Sequence, residues 1–177
     1  MARALDLTGH SAAYATRLLA EAGHDVIRVE PRQGDALRRQ GPFLGNKPGL
    51  ESGAFHQFLN TGKRSFTPNL ESSSGRQALL ELAAASQVVI ATVPLPIKQD
   101  DLLAANPRLV LVRVDDPLPE ACAYARSGLL TLTGHPGEPP VIMGGHVVYS
   151  ATGLHVAVAA AAAMLVQQIR GEGQVVE

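Results

Sequence analysis

Short apolar runs alternate with longer stretches of helical periodicity from the first residues onward. "RALDL" (3–7) predicts a strand, and "AAYATRLLAEAGH" (12–24) a helix with Leu18 and Leu19 turned inward and Gly23 as its stop. "DVIRVE" (25–30) is a second strand, so the first thirty residues make a β-α-β unit with parallel strands. A long polar loop, "PRQGDALRRQGPFLGNKPG", leads to a short helix in "LESGAFHQFLN", the turn "NTGKRS" and the brief strand "SFT". The alternation resumes with the helix "SSSGRQALLELAAAS", where a serine can cap the N-terminus, and the strand "QVVIAT". After the loop "VPLPIKQ" come the helix "DDLLAAN" and the strand "RLVLVRV". Strands that are apolar almost throughout, separated by helices, indicate an α/β protein whose parallel sheet is covered on both faces.

Beyond Asp116 the pattern changes. "PEACAYARSGLLTLTG" predicts a helix, "HPGEPP" a turn, and the apolar stretch "VIMGGHVVY" precedes a long Ala-rich helix starting at "SATGLH". The closing residues, "GEGQVVE", open one more strand. A helix with almost no polar face must be buried on nearly every side. A chain of 177 residues can hardly do that alone, so a partner surface or a C-terminal portion is expected to cover it. The longest apolar run, Val156 to Val166, is short of the roughly 20 residues of a membrane span, and "MARALDLTGH" has no signal-peptide architecture. A soluble, cytoplasmic protein of one domain, residues 1–177, is the expectation.

Composition narrows the chemistry. A net charge of −1 and 4% aromatic residues argue against a nucleic-acid partner. The single Cys122 excludes an internal disulfide and every multi-cysteine metal motif, and reads as a small buried hydrophobe rather than a reactive thiol. "TGHSAAYA" lacks the G-x-G-x-x-G that brings a backbone to a pyrophosphate, so NAD binding is not supported. In "NTGKRS", Gly62-Lys63 lacks the Walker spacing and Arg64 replaces the magnesium-holding hydroxyl. G-x-S-x-G and H-E-x-x-H are both absent, and His146 and His155, nine residues apart, give no metal geometry. Arg28, Arg32, Arg38, Arg39 and Lys47 crowd the loop after the second strand, where such sheets bind ligands. They either hold a polyphosphate or pair with Glu30 and Asp35.

In order, "ALDLTGHSAAYATRLLAEAGHDVIRVEPRQGDALRRQGPF", "FLNTGKRSFTPNLESSSGRQALLELAAASQVVI", "NPRLVLVRV", "SGLLTLTGHPGEPPV" and "SATGLHVAVAAAAAMLVQQIRGEGQ" resemble the N-terminal half of class III (CaiB/BaiF-type) CoA-transferases. The resemblance implies a Rossmann-like domain, interlocking dimers, and a second half of the fold that this chain lacks. It implies acyl-CoA and carboxylic acids as substrates, transferred through an aspartate that forms a mixed anhydride and then an enzyme-bound thioester. Tyr149 stands in that aspartate's place, and a phenol, with an ordinary pKa of about 10, is a poor substitute. By the same resemblance His10, Ser11, Ala12, Pro31, Arg32, Arg38, Lys63 and Thr92 fall in segments lining the CoA site. Glu71 replaces a CoA-holding lysine, Thr92 stands near an asparagine position, and the loop before "SGLL" is shortened. The expectation is a diverged transferase component, needing no metal. It would work as a homodimer, or with a family-related or C-terminal-half chain. The alternative is a non-catalytic CoA-binding or scaffolding protein; a racemase, whose base-bearing loop is shortened here, is the weaker option.

Overall fold

A computed structural model describes residues 1–115 and 119–177. Six strands form one all-parallel sheet: β1 (Arg3–Leu7), β2 (Asp25–Val29), β3 (Arg64–Phe66), β4 (Val88–Val93), β5 (Val110–Asp115) and β6 (Gln174–Val176). Their order is β3-β2-β1-β4-β5-β6, so after β3 the chain crosses to the far side of β1. The point between β1 and β4 where the order reverses is where sheets of this kind open a crevice.

Alternating side chains divide the core into two layers. Ala4, Val26, Val88, Ile90, Val110 and Val112 face α1 (Ala13–Glu21) and the long α6 (Val147–Arg170). Leu5, Ile27, Val89, Leu109 and Leu111 face α3 (Ser73–Ala84) and α4 (Gln99–Ala105). Both faces are therefore covered, as the apolar strands predict. Ser72 caps α3, its Oγ accepting from the Gly75 N–H at 3.0 Å. The shorter α2 (Ala54–Asn60) packs Leu59 against Ala13 and Leu37.

Several local expectations need correction. The segment 50–60 is helical only from Ala54. The helix expected over 119–134 is broken: α5 (Glu120–Arg126) stops before Gly128, whose φ of 78° begins a separate turn at Leu129–Leu132. Leu18 is half-buried while Leu19 is buried. Cys122 is exposed on α5, not buried, because the helix turns Tyr124 into the protein instead. Part of the shortened loop before "SGLL", residues 116–118, lies outside the described residues.

The most informative difference concerns α6. It begins at Val147, three residues earlier than expected, and runs for 24 residues. Only one face is buried, through Val148, Gly153, Ala157, Ala160, Ala163, Met164 and Gln167. The opposite face leaves Leu154, Val158, Leu165 and Ile169 exposed. By length and hydropathy α6 meets what a bilayer span needs. In this fold it is the crossover between β5 and β6, with Gln167 bonded to Gln87 and to the Arg108 carbonyl, each at 2.7 Å.

Gly153 makes the contact of α1 with α6 close. A Cβ there would lie 2.7 Å from Tyr14 Cβ and 3.0 Å from the Ala15 nitrogen, with backbone on one side and no room to yield. Gly153→Val is therefore expected to destabilise the fold by about 1–3 kcal/mol or more, as overpacking does. Urea unfolding midpoints of the two proteins check this; an unchanged midpoint would show that the helices have room to separate.

Candidate active site at the carboxyl ends of the strands

Strands β1, β2 and β4 deliver their carboxyl ends to one edge of the sheet, and a cleft of about 680 Å³ opens there. Thr8 lies on its wall after β1, Pro31 and Arg32 after β2, Thr92 at the end of β4, and Glu71 before α3. The Gly9 N–H donates to Thr92 Oγ1 at 2.6 Å, tying the first turn to the far side of the switch point. Arg32 is exposed.

Beneath the cleft lies a buried carboxylate that belongs to no recognisable sequence motif. Asp6, next to the carboxyl end of β1, is fully buried, which is costly for a carboxylate unless it is paired and hydrogen-bonded. Its Oδ1 accepts from the Thr8 N–H at 3.0 Å, Thr8 Oγ1 at 2.7 Å and Arg28 at 2.7 Å. Its Oδ2 accepts from Thr16 Oγ1 at 2.6 Å and Lys63 Nζ at 2.8 Å. Burial alone would raise its pKa, but Arg28 and Lys63 overcome that and hold it well below the usual carboxylate range. Arg28 also reaches Asp35 and donates to the Thr8 carbonyl at 2.8 Å.

Lys63 spends its three protons on Asp6, the Ala13 carbonyl (3.1 Å) and Asn60 Oδ1 (2.9 Å). It ties β1, α1 and α2 together from beneath. Arg38 is likewise engaged, with Glu30 through two bonds of 2.7 and 2.9 Å and with Glu51 at 2.7 Å. Of the two readings of the basic loop, carboxylate pairing thus describes Arg28 and Arg38, while Arg32 stands outside these pairs. Burial works against Glu30's ionisation, yet the bonds from Arg38, the Asp35 N–H and Ser65 lower its pKa to about 2.

Two other predicted residues meet elsewhere. His10 and Tyr149, 139 positions apart in sequence, bring their rings to 4.8 Å between centroids. His146 lies 4.6 Å from His10 and stacks on Tyr149 at 6.0 Å, and Phe55 is 5.0 Å from His146. Tyr149 sits within the first turn of α6, not before it. Ser11 and Ala12 are buried at the entry to α1. The predicted residues thus divide among a cleft wall (Pro31, Arg32, Thr92), an aromatic cluster (His10, Tyr149), a helix entry (Ser11, Ala12) and an ion network (Arg38, Lys63). Asp6 had a signal in the sequence, a charge set between apolar residues of a buried strand.

The model of CoA-transferase family III matches residues 2–177. Succinyl-CoA:(R)-benzylsuccinate CoA-transferase subunit BbsE of Thauera aromatica is 31% identical over 99% of this chain and 47% of its own length. Formyl-CoA:oxalate CoA-transferase of Streptomyces coelicolor is 33% identical over 97% of this chain and 45% of its own. The chain thus spans about half the length of the curated relatives it matches. Among solved structures, a CaiB/BaiF family protein from Brucella suis superposes with a TM-score of 0.88 at 26% identity, over 99% of this chain and 51% of that one.

The paired carboxylates predict an acid-sensitive fold. A carboxyl whose pKa is depressed on folding contributes stability above its unfolded pKa, about 4.3 for Glu, and loses it as pH falls toward the folded value. Urea midpoints should therefore hold from pH 7 to about 5 and fall between about 4 and 2, where Glu30 is protonated. Glu30→Gln should be less stable than wild type at pH 7, and the gap should close toward pH 2. A gap that persists at acid pH would mean the loss is steric rather than electrostatic.

Proposed function

The chain belongs to CoA-transferase family III, and on that premise we propose that it is a transferase component handling acyl-CoA and carboxylate substrates, completed by a partner chain. The observation that carries this reading is the cleft at the switch point. It is large enough for part of a CoA molecule, and Arg32 stands exposed on its wall while Arg38 and Lys63 are held by carboxylates and backbone. A guanidinium free of such pairs suits a phosphate of the nucleotide portion. The relatives named above carry CoA transfer in their names, and one of them is named as a subunit.

Partner dependence has two supports. Tyr149 occupies the place the resemblance assigns to the nucleophilic aspartate, so covalent acyl transfer would draw that carboxylate from another chain. The exposed face of α6 carries Leu154, Val158, Leu165 and Ile169, and the helix has no Asp, Glu, Lys or Arg before Arg170. A second copy, a family-related chain or one supplying the other half of the fold would cover it. Glu71 on the cleft wall, together with Tyr149, favours a second reading: a non-catalytic CoA-binding or scaffolding protein.

Calorimetric titration of CoA should give micromolar binding. Arg32→Glu should weaken it tenfold or more, since charge-assisted hydrogen bonds contribute about 1.5–3 kcal/mol and about 1.4 kcal/mol is tenfold in affinity. Undiminished binding by the variant would move the phosphates away from this wall, and no binding by the wild type would end the proposal. The solution mass, taken alongside, should exceed that of one chain if a second copy covers α6.

A further inference from the structure

At the entry to α6 one histidine is held with more care than a helix start requires. His146 adopts φ 54° and ψ 45°, a left-handed conformation shared among the described non-glycine residues only with Asn46. Strain of this kind persists where the surroundings enforce it and clusters at functional sites. The imidazole does not cap the helix. Its Nδ1 instead meets Glu120 Oε2, at the start of α5, at 2.7 Å. That carboxylate is only 20% exposed, and its second oxygen is buried without a hydrogen-bond partner among the described residues. A buried acceptor left in that state calls for an explanation beyond surface pairing.

The carboxylate assigns the ring proton to Nδ1 and leaves the Nε2 lone pair to accept another. With 42% of the side chain exposed, water reaches the ring. His10, whose ring lies 4.6 Å away, belongs to the turn that begins at Thr8 on the cleft wall and whose Gly9 is bonded to Thr92. The turn after β1 therefore runs from the cleft wall at Thr8 to the cluster at His10, two residues on.

We propose that His146, oriented by Glu120, is a general base for hydrolysis of an acyl-CoA whose nucleotide portion lies in that cleft and whose thioester extends past the turn after β1 to the cluster; the proposal rests on the CoA binding argued above. Nε2 takes a proton from water as the water oxygen bonds to the thioester carbonyl carbon. The tetrahedral adduct then expels the CoA sulfur with the C–S electron pair, and the imidazolium returns the proton to that sulfur. The products are the carboxylic acid and CoA thiol, with nothing oxidised or reduced. Glu120 is a positioning residue. Among the described residues, the titratable groups facing the ring are Glu120 from α5, His10 from the turn after β1 and Tyr149 from α6.

The test is thiol release from acetyl-CoA and from succinyl-CoA by the 177-residue protein, with calorimetric CoA binding measured in parallel. Turnover should exceed the uncatalysed rate. His146→Ala should lower kcat about 100-fold or more, the typical contribution of general acid–base catalysis, while CoA binding is kept. Glu120→Gln should reduce kcat with KM unchanged and alter the pH profile, which a merely structural role would not do. His146→Gln, nearer in size, guards against misfolding of the alanine variant and should be equally slow. CoA binding without thiol release, or folded His146 variants at wild-type rate, would overturn the dyad and leave the CoA-binding reading standing. Absence of CoA binding would overturn both.

Discussion

Asp6 is the constraint around which this end of the domain is arranged. A buried carboxylate is tolerated only when its charge is answered, and here the answers come from four places: Thr8 beyond its own strand, Thr16 on α1, Arg28 on β2 and Lys63 after α2. Each partner is drawn from a different element, so the electrostatic requirement of one side chain also fixes the packing of β1, β2, α1 and α2. Arg28 extends the network to Asp35, and Asp35 in turn accepts from the Leu37 N–H and donates its own N–H to Glu30. The long loop after β2, polar and with only two short 3-10 turns of its own, is thereby held over the carboxyl ends of the strands.

That arrangement sorts the basic residues by role. Arg28, Arg38 and Lys63 are each paired with a carboxylate, and Arg32 stands on the cleft wall as an exposed cation. The aromatic cluster at the start of α6 is separate. It depends on the close approach of α1 and α6 at Gly153, which sets the helix entry beside the turn carrying His10. Cleft wall and aromatic cluster thus rest on different supports, and damage to one need not propagate to the other.

The exposed stripe on α6 links fold to assembly. A crossover helix normally turns its apolar side to the sheet and its polar side to water. In α6 both sides are apolar and only one meets the sheet. With the chain spanning about half of its relatives' length, this face is where the proposed partner would contribute most hydrophobic burial.

The order of strands and helices, the parallel sheet and the serine cap of α3 were legible in the sequence, because each rests on local periodicity or on a hydrogen bond across three residues. Family membership was legible too, through motifs running in order along the chain. What only the tertiary structure decided were pairings across long separations: Asp6 with Lys63, His10 with Tyr149, Glu120 with His146. Residue type announces that a charge or ring needs a partner, but not which one, since the partner is chosen by how strands and helices stack. The same holds for Cys122 and for α6. Composition says that a side chain or a helix is apolar, while exposure depends on which face the neighbouring elements happen to cover.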